Sequence, residues 1–370
     1  MRGRCVLAGA GVCCPTMKAG AKGLRIDDAA PAVGGGAFVD LDGAALEALS
    51  DAYDEAVAQS PSIDRFCSSS AWVLPAHAAF HSDHPVVACR IDDGFVALAR
   101  GYAPELGRFL APLEAMWGLA SPIVGADERG LAQGAAEWLL ADPDWNILWL
   151  GGLLKDGPAF TNLVRFLGPR VQLRLGPATV RYRASLEGGF EGWSSRRSAV
   201  FRKRLRQAMR WARTELTFEW VDGTVAFDPP AAAAMFQRIH AVETRSWKGR
   251  EGTGFVMGDM YRFYERMVPS LALKQGAAGH GLRVLFARQG ERDVAVCFGG
   301  VFGDTYRGLQ NSFDDDFRSR SLGNVMQAES IARLCDEALQ IYDLGSEMDY
   351  KARWAESALE TVTLLVIRRP

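Results

Sequence analysis

The chain has 370 residues, enough for two domains of ordinary size and a large core. Its 42 lysine and arginine residues nearly balance 44 aspartate and glutamate residues, and the net charge of −2 argues against a globally basic protein that binds DNA. No apolar run approaches the roughly 20 residues of a membrane-spanning helix, so we expect no insertion into a membrane.

The cysteines show neither the spacing of a metal site nor that of a disulfide framework. They are Cys5, Cys13, Cys14, Cys67, Cys89, Cys297 and Cys335. Their largely apolar surroundings are typical of reduced thiols in the core of a cytoplasmic protein. The sequence thus predicts a cytoplasmic protein without a bound metal.

The first 35 residues differ from the rest of the chain. The segment MRGRCVLAGAGVCC faintly imitates a signal peptide, but glycines interrupt its apolar run and no convincing cleavage site follows. We expect residues 1–35 to be a mobile leader or to precede a true start at Met17.

Residues 36–185 alternate between helical and strand patterns, which predicts an N-terminal domain of mixed type. Apolar residues recur at helical spacing over 43–58, and a proline-bent helix is predicted over 72–80. The turn sequence Asp-Asp-Gly at 92–94 lies between two apolar runs and indicates a β-hairpin. The remaining predicted elements are a helix over 127–140, a strand in WNILWLGGL, a helix in PAFTNLVRFLG and separate strands in VQLRLG and ATVRYRAS.

Residues 186–370 repeat this mixed pattern and are predicted to form a C-terminal domain. Its predicted elements are a basic helix over 194–213, a strand in LTFEWV, helices beginning near 229 and 258, three antiparallel strands over 282–313, a helix over 325–339, a strand in QIYDL and a short helix in DYKARW. Each half has helices, then a hairpin, then a helix and a strand, which favours two similarly folded domains.

The helix predicted over 194–213 carries a dense basic face. No acidic residue lies between Ser194 and Arg213, whereas the charges of the whole chain are balanced. The basic residues are Arg196, Arg197, Arg202, Lys203, Arg204, Arg206, Arg210 and Arg213. Two interpretations stay open: a solvated face on a helix that docks on the sheet, or a contact with an anionic partner such as a phosphorylated ligand, a cofactor or RNA.

A second basic group precedes the helix predicted over 325–339. It consists of Arg318, Ser319, Arg320 and Ser321, followed by Gly323 and Asn324. The start of a helix presents unpaired N–H groups and partial positive charge, which suits a phosphate. A single glycine that follows antiparallel strands does not fit a Rossmann dinucleotide fingerprint, which has three glycines.

Residues 318–325 resemble the pyrophosphate loop of the acetyl-CoA-dependent N-acetyltransferases of the GNAT superfamily, with Val325 where that family normally has glycine or alanine. The tail from Asp343 to Trp354 resembles the ending of the CelD-like (cellulose biosynthesis protein) acetyltransferases, as do the basic helix and the stretch from His240 to Trp247. That family is related to the Fem-type aminoacyl ligases.

The resemblance implies an α/β (α+β) fold with two GNAT-like domains, each a mixed, mostly antiparallel sheet flanked by helices. It also implies an acyl-CoA site in the second domain, with acetyl-CoA as the expected co-substrate. The implied CoA contacts are Arg318, Ser319, Arg320, Ser321, Gly323 and Asn324.

The resemblance also suggests catalytic residues. Tyr350 matches the tyrosine with which many GNAT enzymes protonate the departing CoA thiolate, and packing under the sheet is its alternative role. His240 and Glu243 lie three apart on one helix face and are the candidate general bases, with a core position as the alternative for His240. The candidate substrate contacts are Trp247, Asp343 and Lys351, of which Lys351 is predicted to form an ion pair or a phosphate contact.

These features predict an N-acyltransferase that acetylates an amine of a small molecule or an amino sugar by direct attack on the thioester. The first alternative is a Fem-type ligase that uses aminoacyl-tRNA, in which the helix over 194–213 would contact RNA. The second alternative is a catalytically inactive GNAT-like protein that acts through protein contacts.

Overall fold

The computed structural model of the protein describes residues 38–274 and 280–369. The predicted leader over 1–35 lies outside the described residues, as do three of the seven cysteines. The other four cysteines are free thiols, three buried and one half-buried, as the sequence predicts for reduced thiols: Cys67, Cys89, Cys297 and Cys335.

The first half of the chain forms a sheet with helices on both sides. Its strands are β1 (Phe38–Leu41), β2 (Val86–Ile91), β3 (Gly94–Ala103), β4 (Gly107–Pro112), β5 (Ile123–Val124), β6 (Ile147–Leu154) and β7 (Val171–Ser185). Its helices are α1 (Gly43–Ala48), α2 (Ser50–Gln59), α3 (Arg65–Ser68), α4 (Ser70–Phe80), α5 (Glu128–Ala141) and α6 (Pro158–Leu167). The predicted hairpin, the proline-bent helix α4 and the helices α5 and α6 are confirmed.

The second half is built in the same way. Its strands are β8 (Thr217–Val221), β9 (Gly281–Gln289), β10 (Arg292–Phe302), β11 (Thr305–Phe313), β12 (Ile341–Ser346) and β13 (Ser357–Arg368). Its helices are α7 (Gly189–Ser195), α8 (Ala199–Glu215), α9 (Pro229–Arg245), α10 (Trp247–Glu251), α11 (Gly258–Leu273) and α12 (Leu322–Asp336), with 3₁₀ helices at Asp315–Arg320 and Lys351–Arg353. The three antiparallel strands predicted over 282–313 are confirmed as β9, β10 and β11.

All of the described strands join one sheet. Their order is β1-β2-β3-β4-β6-β13-β7-β12-β11-β10-β9-β8, with β5 paired to β3. The pairs β4 with β6 and β11 with β12 are parallel, and the other pairs are antiparallel. The predicted α/β fold, with a mixed, mostly antiparallel sheet flanked by helices, is therefore confirmed.

The two halves of the sheet have the same topology. In each half an antiparallel meander (β2-β3-β4 or β9-β10-β11) precedes a helix and a parallel strand (α5 and β6, or α12 and β12). The last strand of each half then crosses over: β7 pairs with β12, β13 pairs with β6, and β7 and β13 pair with each other at the centre. The domain boundary at residue 185 stays a prediction, because this exchange joins both halves in one sheet.

The separate strands predicted in VQLRLG and ATVRYRAS are one strand, β7. Opposite β13, Leu175 pairs with Leu364 and Ala178 with Val362, so Gly176 and Pro177 lie in a β-bulge. A bulge tolerates proline because the hydrogen-bond ladder is already interrupted there. The prediction of two strands is wrong for this reason.

The single helix predicted over 194–213 is also wrong, because α7 and α8 are separate. Ser198 has an extended backbone, and its hydroxyl accepts the Phe201 N–H at 3.2 Å, so it caps a new helix. Arg196 and Arg197 lie between the two helices and pair with Glu356, just before β13. These two arginines therefore hold the C-terminal segment in place.

Apolar side chains form cores on both faces of the sheet, since neighbouring residues of a strand point to opposite faces. On one face, helices of both halves share a core, in which the rings of Trp72 on α4 and Phe263 on α11 have centroids 5.0 Å apart. On the other face, α5 and α6 cover the first half, and α7, α8 and α12 cover the second. Leu364 of β13 is fully buried beneath α5 and α6.

The Leu364→Ala variant tests the central position of β13. We expect it to lower the free energy of unfolding by about 2–5 kcal/mol, because it opens a cavity that its neighbours cannot fill. Glu360→Ala, at an exposed position of the same strand, should change that free energy by less than about 0.5 kcal/mol. Urea denaturation measures both values, and equal losses would contradict the observed arrangement.

Candidate active site

β11 and β12 pair over only three residues each and then separate. Thr305–Arg307 of β11 pairs with Ile341–Asp343 of β12. Beyond these residues, β11 continues to Phe313 and β12 to Ser346 with no further pairing between the two described strands. A gap therefore opens toward their carboxyl ends, where ligand sites of α/β sheets usually lie.

A β-bulge in β11 borders this gap. On the neighbouring strand β10, Gly299 pairs with Gly308 and Phe298 with Gln310, which leaves Leu309 without an opposite residue. A bulge takes a backbone group out of the ladder and is common beside active sites. The backbone near Leu309 is thus well placed to offer an N–H group to a ligand in the gap.

Helix α12 begins beside the gap without a side-chain cap. Its N-cap residue, Ser321, has a left-handed φ of 56°, and its side chain accepts no hydrogen bond from the helix. The N–H groups of the first turn therefore lack the usual side-chain acceptor and suit an anion. The predicted CoA contacts at this helix start are all exposed or half-buried: Arg318, Ser319, Arg320, Ser321, Gly323 and Asn324.

Gly323 lets α12 approach β11 closely. A Cβ atom at this position would lie 2.9 Å from Cε1 of Phe313. The side-chain nitrogen of Asn311, on β11, donates a hydrogen bond to the Gly323 carbonyl at 2.7 Å. On the opposite side, the guanidinium carbon of Arg320 lies 5.3 Å from the Trp211 ring centroid of α8. The helix start is thus held between β11 and α8.

Glu243 of α9 is fully buried and belongs to a polar chain beside β11. Its carboxylate accepts a hydrogen bond from the Ser312 hydroxyl and lies 3.5 Å from Lys248 Nζ. Lys248 donates to Gln310 Oε1 at 2.8 Å, and Gln310 Nε2 donates to the Tyr264 hydroxyl at 3.1 Å. These contacts therefore link the buried Glu243 carboxylate to β11, the strand that borders the gap.

Of these residues, only Glu243 is predicted from the sequence to belong to the site. Gln310 and Ser312 stand two apart on one strand, and this spacing could have identified them as facing one side. Lys248 has no such signal, because only the break between α9 and α10 turns it back toward Glu243. Burial lowers the pKa of Lys248, against the opposite effect of the Glu243 carboxylate.

His240 belongs to an aromatic cluster. Its Nε2 lies 3.2 Å from the carbonyl oxygen of Val256, and its ring packs against Phe236 and Tyr261. Among the described residues, His240 has no hydrogen bond to the polar chain of Glu243. Trp247 begins α10 and is half-buried.

Tyr350 and Lys351 follow β12 at the gap. The Tyr350 side chain is 46% exposed, and partial burial raises the pKa of its phenol. Lys351 Nζ donates to the Ser346 carbonyl at 2.8 Å and lies 6.0 Å from the Tyr350 ring centroid. Burial, together with the nearby Arg307 guanidinium, lowers the pKa of Lys351 to about 8. Among the described residues Lys351 forms no ion pair, and the phosphate contact stays a prediction.

Asp343 is not free to contact a substrate, because its carboxylate oxygens are already engaged. Oδ1 accepts from Arg307 at 3.1 Å and from the Gly345 N–H at 2.8 Å. Oδ2 accepts from Arg181 at 3.2 Å and from Arg183 at 3.3 Å. The side chain therefore fixes the end of β12 against β7 and β11.

The basic face of α8 remains largely unpaired. Arg213 pairs with Glu329 at 2.7 Å. Four exposed basic side chains of α8 form no ion pair with any described residue: Lys203, Arg204, Arg206 and Arg210. This concentration of uncompensated charge lies next to the start of α12, because Arg320 packs on Trp211 of the same helix.

In residues 38–274 and 280–369, no three His, Cys, Asp or Glu side chains are grouped so that they could hold a metal ion. Over the same ranges, no helix is both long enough and apolar enough to cross a membrane.

Comparison with known proteins relates this region to acetyltransferases. Residues 199–352, which include α8, the gap and the start of α12, match the family model of the acetyltransferase (GNAT) domain. A search of curated proteins finds no match. The resemblance to the CelD-like subfamily therefore stays a prediction.

Solved structures share the architecture of the whole chain. A conserved protein of unknown function from Bacteroides thetaiotaomicron is 13% identical and aligns with a TM-score of 0.58 over 87% of this chain and 97% of its own. FemX is 10% identical and aligns with a TM-score of 0.58 over 84% of this chain and 94% of its own. The chain therefore contains a GNAT-type acetyltransferase domain within a fold like that of FemX.

Proposed function

We propose that the protein is a cytoplasmic, acyl-CoA-dependent N-acyltransferase that uses acetyl-CoA and acts on an amine of a small molecule or an amino sugar. The observation that carries this proposal is the uncapped start of α12 beside the gap between β11 and β12. N–H groups without a side-chain acceptor and the cations of Arg318 and Arg320 together suit a pyrophosphate. The match of residues 199–352 to the GNAT domain model supports CoA as its source.

Acetyl-CoA supplies the acyl group and a thiolate that can leave. Arg318, Ser319, Arg320, Ser321, Gly323 and Asn324 would hold its pyrophosphate. The acceptor amine attacks the thioester carbonyl directly, without a covalent enzyme intermediate, and a backbone N–H near Leu309 stabilises the negative charge that develops on the carbonyl oxygen. The phenol of Tyr350 then donates a proton to the sulfur.

The proton of the amine must reach a base. We propose Glu243 for this role, with Lys248 and Gln310 as the groups that link it to the gap, because the carboxylate itself has no exposed surface. His240 stays the alternative base, although its contacts are with aromatic rings. Trp247 and Lys351 are proposed to contact the acceptor.

Aminoacyl transfer from tRNA is the second candidate function. The unpaired basic face of α8 supports it, since a row of exposed cations suits the phosphates of RNA. FemX-like architecture over most of the chain is consistent with it but is equally consistent with CoA as donor. The two candidates differ in which basic residues carry the binding energy.

The Arg320→Glu and Gly323→Asp variants test the CoA loop. Each should weaken acetyl-CoA binding by about tenfold or more, because each puts a negative charge beside the pyrophosphate. Calorimetric titration measures the affinity. Arg129→Glu, the same charge reversal at an exposed position of α5, should leave it unchanged.

Unchanged acetyl-CoA affinity in both loop variants would contradict the CoA proposal. A parallel titration with tRNA separates the second candidate: binding that weakens steeply with salt and is lost in Arg204→Glu would support the tRNA-dependent ligase.

The Tyr350→Phe variant tests the proposed acid. It removes only the phenol oxygen, so turnover should fall by about 10²-fold or more while acetyl-CoA affinity is kept. Steady-state kinetics with a saturating amine measure the change. Tyr102→Phe, at an exposed tyrosine of β3, is the matched control. Full turnover in Tyr350→Phe would remove this residue from the mechanism.

A further inference from the structure

A cavity of about 200 Å³ lies on the α3 side of the sheet, where β7, β11 and β12 meet. Among the residues that line it are Asp64, Phe66, Arg183, Phe302, Arg307 and Asp343. Of the β11 residues in the lining, Arg307 lies furthest along the strand, and the proposed CoA loop follows Phe313, roughly 20 Å further on at about 3.3 Å per residue. The cavity is therefore separate from the start of α12.

Positive charge exceeds negative charge around this cavity. Two buried guanidinium groups, of Arg181 and Arg307, pair with the two buried carboxylates of Asp64 and Asp343, and the half-buried guanidinium of Arg183 adds a third positive charge. At the mouth, an exposed arginine and an exposed aspartate offset each other: Arg65 and Asp304. The additional positive charge of Arg183, at the lining of the cavity, favours the binding of an anion.

Both carboxylates are occupied by protein donors. Asp64 accepts from Arg181, Arg307 and the Cys67 N–H, and its pKa falls to about 2 because the two arginines outweigh the effect of burial. The engaged oxygens of Asp343 are described above. Neither carboxylate is therefore available for a cationic ligand.

Several guanidinium N–H donors, in contrast, have no hydrogen-bond acceptor among the described residues. Arg307 lines the cavity, is only 3% exposed, and its Nε has no hydrogen-bond partner among the described residues. Arg181 is fully buried, and its Nε and Nη2 likewise have no hydrogen-bond partner among the described residues. Arg183, also in the lining, donates to the described residues only through its Nε, in the bond to Asp343. Free N–H groups of guanidinium suit the oxygens of a carboxylate or phosphate.

We propose that this cavity binds a small organic anion, whose carboxylate or phosphate group is held by Arg183 and Arg307 while its carbon skeleton packs against Phe66 and Phe302. This inference does not depend on the proposed CoA loop. Because Arg307 and Asp343 are the last paired residues before β11 and β12 separate, a bound anion would touch the strands that form the gap.

The test uses the full chain and two probes, succinate and inorganic phosphate, titrated by calorimetry at constant ionic strength set with chloride. Both titrations are run on CoA-free and on CoA-saturated protein, so that phosphate bound at α12 is recognised. We expect saturable binding of at least one probe, weakened about tenfold or more in Arg183→Gln, since a charged hydrogen bond is lost. A response to succinate alone assigns a carboxylate, and a response to phosphate alone assigns a phosphate.

Two further variants serve as a control and as a second test of the cavity. Arg174→Gln, on the same strand but outside the cavity, should bind the probe as the wild type does. Ile63→Trp, which fills the cavity from its lining, should reduce binding even if Arg183→Gln folds poorly.

The proposal is overturned if neither probe binds, if Arg174→Gln loses binding equally, or if both cavity variants bind like the wild type. Acetyl-CoA affinity of Arg183→Gln should stay unchanged, and a parallel loss would assign the anion to the CoA loop.

Discussion

The hydrogen bonds of β13 hold the two halves of the molecule together. This strand ends the chain in sequence but lies at the centre of the sheet, between β6 of the first half and β7. Since β7 in turn pairs with β12, neither half completes its sheet without a strand from the other. Ion pairs reinforce this connection: Asp64 of the first half binds arginines of β7 and β11, and Arg196 and Arg197 bind Glu356 before β13.

The position of the candidate active site follows from this arrangement. Pairing with β7 directs β12 away from β11 after Asp343, and the bulge at Leu309 adds a bend on the other side of the gap. α12 begins at that place without a side-chain cap, and α9 and α10 bring Glu243 and Lys248, respectively, to the same strand. One strand, β11, therefore connects the proposed phosphate site, the bulge and the buried polar chain.

Features set by local chemistry could be predicted from the sequence. The hairpin at 92–94, the meander before α12 and the basic group ahead of Gly323 each depend on residues close together in the chain. The partners of β13 could not be predicted. Its partner β6 lies some two hundred residues away in the sequence, and the alternation of apolar and polar residues along a strand does not identify the strand that pairs with it. Ser198 could have been recognised as a helix cap, whereas Pro177 is tolerated because it lies in a bulge of β7, which forms opposite the distant strand β13. The contact of Lys248 with Glu243 and the charge cluster at Asp343 likewise depend on tertiary structure.

Hydrogen–deuterium exchange with and without CoA is the decisive measurement, because the start of α12 is proposed to bind CoA through its backbone N–H groups. We expect slower exchange on CoA binding in peptides that cover residues 319–325 and in those that cover the bulged part of β11, while β2 and β3 are unaffected. Protection confined to α8, or no protection at the start of α12 under saturating CoA, would contradict the proposed CoA site.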